Sequence, residues 1–115
     1  MNVGVVAIAN IGTFLAGDND GNYCVITLDD TKDVDLGDVL RGTFDGRGSL
    51  FYSVRNLTKR EDVRICLEHW ECNLIGAIQA LIEFKGVRTV DAGTKRFTVD
   101  STDIVHQIAS AIQVS

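Results

Sequence analysis

The chain has 115 residues, of which 45% are hydrophobic and 23% charged, with eleven glycines, no proline and a formal charge of −5 at pH 7. This composition is typical of one globular domain that builds its own core without disulfides or metal, and it excludes a linker-rich or intrinsically disordered chain. The acidic charge also excludes a protein whose whole surface binds nucleic acid, because phosphate binding needs clustered Lys and Arg.

The charge is distributed unevenly along the chain. Residues 1–40 contain seven aspartates and one lysine, whereas residues 41–64 contain six Lys and Arg against three Asp and Glu. Residues 65–115 contain six acidic and four basic residues. The sequence therefore predicts a polarised molecule in which the segment 41–64 is the candidate for contact with an anionic partner.

The first part of the chain is predicted to form β-strands. The apolar segment 3–16 is interrupted by Gly4 and Gly12, which favours one long strand that bends around a small barrel. Turn-forming residues at 18–22 predict a hairpin to a second strand over 23–28.

An acidic loop over residues 29–38 separates this hairpin from three further predicted strands. These strands are expected over residues 39–44, 50–57 and 62–70, with a glycine-rich turn at 45–49. In the last strand, strict alternation predicts Val63, Ile65, Leu67 and His69 on one face and Arg64, Cys66, Glu68 and Trp70 on the other.

After Cys72 the hydrophobic period changes from two to about 3.6 residues. A helix is predicted to begin after an N-cap at Asn73 and to end near Gly86. Two short strands over 87–90 and 96–99 follow. A last helix, capped by Asp100 or Ser101, presents an apolar stripe of Ile104, Val105, Ile108, Ala109 and Ile112.

These elements predict a single α+β domain over residues 1–115. A five-stranded, bent antiparallel β-barrel occupies residues 3–72, because closure removes the exposed edges of a small sheet. A helix–β-hairpin–helix extension over residues 73–115 packs on this barrel.

Three segments carry a resemblance to a known group of proteins: LGDVLRG at 36–42, SLFY at 49–52 and EHWEC at 68–72. Together they resemble short bacterial β-barrel proteins of OB-like character, many of which have no assigned function. The resemblance covers residues 3–72. It implies an OB-like barrel for that part of the chain.

The basic segment supplies the candidate binding residues. If the third to fifth strands are neighbours, Arg41, Phe51, Arg55, Arg64 and Trp70 share one surface that mixes guanidinium groups with aromatic faces. OB-type barrels use such chemistry to stack bases and follow a phosphate backbone. The alternative is that the aromatic residues are buried and the arginines pair with the aspartates of the loop 29–38.

Cysteine usage predicts a cytoplasmic protein. The chain has three cysteines, Cys24, Cys66 and Cys72, and an odd number is typical of a reducing compartment. The apolar N-terminal segment has no Lys or Arg before it and is too short to span a bilayer, so we expect neither a signal peptide nor a membrane span.

Two thiols and two imidazoles raise the question of metal binding or catalysis. Cys66, His69 and Cys72 lie within seven residues, but Cys66 and His69 point to opposite faces of a regular strand and do not share an ion unless that strand bulges. A Cys72–His106 pair is the candidate for a small cysteine enzyme. We expect no metal, no cofactor and no catalytic residue.

Two turns imitate ligand loops. Residues 18–22 follow part of a calcium-binding pattern, but Tyr23 occupies the position where an EF-hand needs glycine. The turn at 45–49 has the glycines of a phosphate cradle without the lysine and helix of a P-loop. Both are interpreted as hairpin turns.

The predicted function is a non-catalytic binding or assembly module. Its partner is either single-stranded nucleic acid or a protein, bound through the basic and aromatic barrel face. A homo-dimer assembled through the apolar stripe of the last helix is the alternative, and packing of that stripe on its own barrel is the competing explanation.

Overall fold

The computed structural model of the protein describes residues 1–44, 51–100 and 103–114. Its elements in chain order are β1 (Asn2–Ala9), β2 (Thr13–Gly17), β3 (Tyr23–Leu28), β4 (Val39–Arg41), β5 (Phe51–Asn56), β6 (Glu61–Glu71), α1 (Leu74–Ile82), β7 (Thr89–Ala92), β8 (Lys95–Thr98) and α2 (Ile104–Val114). The predicted turn at 45–49, the strand start at Leu50 and the cap at Ser101 lie outside the described residues.

An antiparallel barrel forms the centre of the molecule. Within the described ranges its six strands follow the order β1-β2-β3-β6-β5-β4, and β4 pairs again with β1 to close the ring. The α+β barrel with a helix–hairpin–helix extension is therefore confirmed. The prediction of five strands is wrong by one, because the predicted first strand is two strands.

The turn at residues 10–12 divides that segment into β1 and β2. Gly12 has a φ of +81°, in the left-handed region that glycine tolerates best. The Asn10 side-chain oxygen accepts hydrogen bonds from the backbone N–H groups of Arg88 (2.8 Å) and Thr89 (3.2 Å). This turn therefore also anchors the segment that leads into β7.

The strand β1 is shared between the barrel and the extension. Its first half, Asn2 to Gly4, pairs with β4, and its second half, Ala7 to Ala9, pairs with β7. A β-bulge between Val5 and Ala7 marks the change. β8 pairs with β7 and extends the sheet beyond the barrel.

Two hydrophobic clusters follow from this arrangement. The barrel interior contains Phe14, Ile26, Leu40 and Ile65, all nearly inaccessible to solvent. The second cluster lies between the barrel wall and the helices. The strand β2 serves both clusters: Phe14 points into the barrel while Leu15 packs under the helices, which explains why its sequence is apolar without alternation.

The helix α1 packs on strands β2, β3 and β6 of the barrel, whereas α2 packs on β7, β8 and α1. The side chain of Asn73 accepts a hydrogen bond from the Gly76 N–H over 2.6 Å, which confirms the predicted N-cap of α1. In α2, Ile104, Ile108 and Ala109 are buried in the cluster beneath the helices. Among the described residues, no helix has the length and apolarity needed to cross a membrane.

The acidic loop 29–38 is tied to the β5–β6 hairpin. The carboxylate of Asp38 accepts hydrogen bonds from the side chain of Asn56 (2.9 Å) and the backbone N–H of Asp35 (3.0 Å). The Lys59 ammonium lies 2.8 Å from Asp35 and 3.5 Å from Asp38. These contacts hold the loop beside the basic segment.

Candidate functional site

The outer wall of β4, β5 and β6 carries four of the five predicted binding residues. Arg41 lies opposite Arg55 on the neighbouring strand, Ser53 lies opposite Arg64, and Phe51 belongs to the next row along β5. Their side chains are exposed. We call Arg41, Phe51, Arg55 and Arg64 the basic face.

Phe51 is the aromatic centre of the basic face. It is 46% exposed, and the guanidinium carbon of Arg64 lies 5.5 Å from its ring centroid. This distance is within the range of a cation–π contact. The pair presents a flat apolar ring and a planar cation to solvent at one place, which is the combination that stacks on a nucleic-acid base.

Arg41 and Arg55 form a like-charged cross-strand pair. Residues directly opposite on antiparallel strands have Cβ atoms about 4.5–5.5 Å apart, and like charges at that separation are unfavourable. Arg41 makes no ion pair with any described residue. An anion that binds both residues would relieve the repulsion. Arg41 also lines a surface pocket with Asp18 and Asp20.

Carboxylates compete for the other arginines of the face. Arg55 pairs with Asp62 over 3.2 Å and Arg64 pairs with Asp29 over 3.3 Å. Both pairs are well exposed, so each contributes little to stability and yields easily to another anion. Of the two interpretations of the basic segment, exposure applies to Phe51 and pairing with an aspartate of the loop 29–38 applies to Arg64. Arg55 pairs instead with Asp62 of β6.

Trp70 is separated from the basic face by a β-bulge. In the pairing of β6 with β3, Leu67 lies opposite Ile26 but His69 lies opposite Val25, so Glu68 is the extra residue. The strict alternation predicted for this strand is therefore wrong after Leu67. Trp70 is 40% exposed, but it pairs with Cys24 of the barrel interior and lies on the opposite face of the strand from Arg64.

The cysteines and histidines do not form a reactive cluster in the described part of the chain. Burial raises the pKa of Cys24 to about 12, with a further contribution from the charge of Asp18. Burial, aided by Glu68, raises the pKa of Cys66 to about 11. His69 contacts the Glu71 carboxylate.

The proposed Cys72–His106 pair is not assembled. Both residues are exposed, and no hydrogen bond joins them in the described ranges. The same ranges contain no group of three or more His, Cys, Asp or Glu side chains placed to hold a metal ion.

The acidic turn at residues 18–22 uses its first carboxylate internally. Asp18 accepts hydrogen bonds from the backbone N–H groups of Asp20 (2.8 Å) and Asn22 (3.0 Å) and from the Asn22 side chain (3.2 Å). The hairpin between β2 and β3 confirms the turn prediction. Asp18 is thus committed to the geometry of this turn.

An open groove that the sequence did not predict lies between β1, the β7–β8 turn and α2. Its volume is about 1020 Å³, and Val6, Leu36, Phe97 and Ala111 form much of its lining. Three glycines distant in sequence also line it: Gly4, Gly37 and Gly93. The glycines were the signal in the sequence that could have pointed to a groove. Only the fold shows that these three glycines lie together.

No family model, curated protein or solved structure matches this chain.

Proposed function

We propose that the protein is a non-catalytic binding module that holds single-stranded nucleic acid on its basic face. The observation that carries the proposal is the juxtaposition of two features: the like-charged pair of Arg41 and Arg55, and the exposed Phe51 ring covered by Arg64. The first offers a site for a phosphate and the second a platform for a base. OB-like barrels combine these two contacts on one sheet face.

A single strand fits this face better than a duplex. Stacking requires an unpaired base whose flat surface is accessible, and Phe51 lies on the barrel wall. Among the described residues, no helix or ribbon projects from this wall as an element that enters a major groove would. The acidic surface elsewhere repels the phosphate backbone and restricts it to the basic face.

The number of cations sets the expected strength and salt dependence. Three arginines contribute to the face, and a single strand releases about 0.7 counterions per neutralised phosphate, so the logarithm of affinity should fall with the logarithm of salt with a slope of about −2. Because Asp29 and Asp62 already pair with two of these arginines, the measured slope should be no steeper than this value. We therefore expect modest, salt-sensitive binding.

Fluorescence anisotropy with a labelled oligothymidylate about 12 nucleotides long tests the proposal. Saturable binding at low salt that weakens with the stated slope supports it. Absence of binding at low salt, or an affinity that does not change with salt, overturns it. Trp70→Ala serves as the aromatic control, since Trp70 lies on the other side of the strand and its removal should not change the affinity.

Assembly through α2 is the alternative function. The helix places Ile104, Ile108 and Ala109 in the core of its own chain, while Val105 and Ile112 are only partly buried. A dimer would therefore have to form through Val105 and Ile112, which are a smaller apolar surface than the whole predicted stripe. Light scattering across a dilution series tests the alternative, and a molecular mass that stays at one chain rejects it.

A further inference from the structure

The groove beside α2 has the chemistry of a small-molecule site. We propose that it binds an apolar monocarboxylate, such as a medium-chain fatty acid, with the hydrocarbon in the groove and the carboxylate at Lys95. This site is independent of the basic face, because it is formed by β1, the loop before β4, the β7–β8 hairpin and α2.

The walls of the groove suit a hydrocarbon. Val6, Phe97 and Ala111 are partly buried side chains that extend the cluster between barrel and helices, and Leu36 extends the cluster inside the barrel. The groove is thus the open margin of two packed cores. Its volume of about 1020 Å³ is just above the range of roughly 300–1,000 Å³ that ligand pockets occupy.

The groove is open because glycine stands where a side chain would fill it. A Cβ atom added at Gly4 would have no atom within 4 Å, and the same holds at Gly37. Gly37 has a φ of +88°, which gives a backbone reason for glycine there. Gly4 has no such reason, since it lies inside a strand with ordinary φ, where glycine weakens the strand.

Lys95 determines the charge of the expected ligand. It is the one charged residue among the described residues that line the groove. It forms no ion pair with any residue in the described part of the chain. The neighbouring Arg96, by contrast, pairs with Asp91 over 2.8 Å. An exposed cation that lines an apolar groove is complementary to an amphipathic anion, and Gln107 and Ser110 of α2 add hydrogen-bonding groups to the lining.

Isothermal titration with decanoate, kept below its micelle concentration, tests the proposal on the full chain. We expect saturable binding of one decanoate per chain and distinctly weaker binding of 1-decanol. Lys95→Met should weaken decanoate binding about three- to fivefold, which is the effect of one exposed ion pair. Lys85→Met, an exposed lysine outside the groove, is the matched control and should leave the affinity unchanged.

Two blocking variants test the location from opposite walls. Gly4→Leu fills the groove from β1, and Ser110→Phe fills it from an exposed position of α2. Each should abolish binding while the thermal midpoint stays near that of the parent protein, and if one variant does not fold the other decides. Absence of saturable binding, persistence of binding in a folded blocking variant, or equal affinity for decanol and decanoate overturns the proposal.

Discussion

Asn56 donates a hydrogen bond from Nδ2 to Oδ2 of Asp38 over 2.9 Å, and both residues are buried. The same Asn56 accepts hydrogen bonds at Oδ1 from the backbone N–H groups of Thr58 and Lys59. One amide therefore holds the turn between β5 and β6 and connects it to the acidic loop. This loop supplies Asp29, which competes for Arg64 on the basic face.

Removing either partner of this hydrogen bond should destabilise the fold. Asp38→Ala and Asn56→Ala should each lower the free energy of unfolding by about 1–3 kcal/mol, because each leaves a buried polar group without a partner. Urea denaturation measures the change, and Asp33→Ala on the exposed part of the loop is the control. A double variant whose loss equals the sum of the single losses would show that the two side chains are not coupled.

The stability should also depend on pH through Asp38. Desolvation alone raises the pKa of this carboxyl, but hydrogen bonds from Asp35 and Asn56 and the charge of Lys59 outweigh it and lower the pKa below its ordinary value of 3.8. The stabilisation is therefore present above about pH 4 and is lost as the pH falls through the lower folded-state pKa. Asp38→Asn should reduce this acid-dependent loss, and an unchanged acid transition would contradict the assignment.

On the basic face, Phe51 should account for most of the stacking energy. Phe51→Ala is expected to weaken oligonucleotide binding about tenfold, since one base–aromatic stack contributes about 1–3 kcal/mol. Because Phe51 is already half-exposed, its removal should leave the fold intact, and circular dichroism checks this. If Trp70→Ala weakens binding as much as Phe51→Ala does, the nucleic acid does not lie where we propose.

Neutralising the competing carboxylates should strengthen the same interaction. Asp29→Asn and Asp62→Asn release Arg64 and Arg55, and we expect each to increase affinity about two- to fivefold at low salt. Asp91→Asn changes the net charge equally but releases Arg96, which lies outside the face. A similar gain in all three variants would indicate a general charge effect instead of a local site.

The thiols should differ sharply in reactivity. Cys24 and Cys66 are buried, with pKa values raised to about 12 and about 11, whereas Cys72 is exposed. Near pH 8 in the native state, iodoacetamide should therefore modify one cysteine per chain rapidly, because the thiolate is the reactive form. Intact mass before and after denaturation in urea counts the modified thiols, and Cys72→Ser should abolish the rapid phase.

Two backbone positions predict opposite effects on stability. Arg60 has a φ of 57°, where a side chain is unfavourable, so Arg60→Gly should raise the free energy of unfolding by about 0.5–1 kcal/mol. Gly12 has a φ of +81° with no atom near its Cβ position, so Gly12→Ala should cost about 1 kcal/mol from conformation alone. Urea denaturation of both variants tests this explanation. Two midpoints that shift in the same direction would contradict it.

The local parts of this fold were predictable because local patterns determine them. The apolar spacing and the Asn73 cap located α1, and the turn residues at 18–22 located the β2–β3 hairpin. The division of β1 from β2 was missed. Gly12 fits a bend within one strand as well as a turn between two, and the hydrogen bonds at this turn join Asn10 to Arg88 and Thr89, which are far away in the sequence.

The site was predictable where regular alternation holds and not beyond it. Phe51 and Arg64 were placed correctly on an exposed wall because β5 and the first part of β6 pair in unbroken register. The bulge at Glu68 moved Trp70 to the other face, and no residue in that segment specifies a bulge. The groove could not be predicted from the sequence, because the glycines that leave it open belong to separate elements of the fold.

The divided pairing of β1 has a consequence for the order of events during synthesis. The strand β1 is synthesised well before its partners β4 and β7, because Asn2 pairs with Arg41 and Ala7 pairs with Ala92. The pairing of β1 with β7 therefore cannot form until residues 89–92 have been made, and contacts of such long sequence separation form slowly. Nascent chains that end before β7 should expose the apolar second half of β1 and need protection from aggregation until β7 has been made.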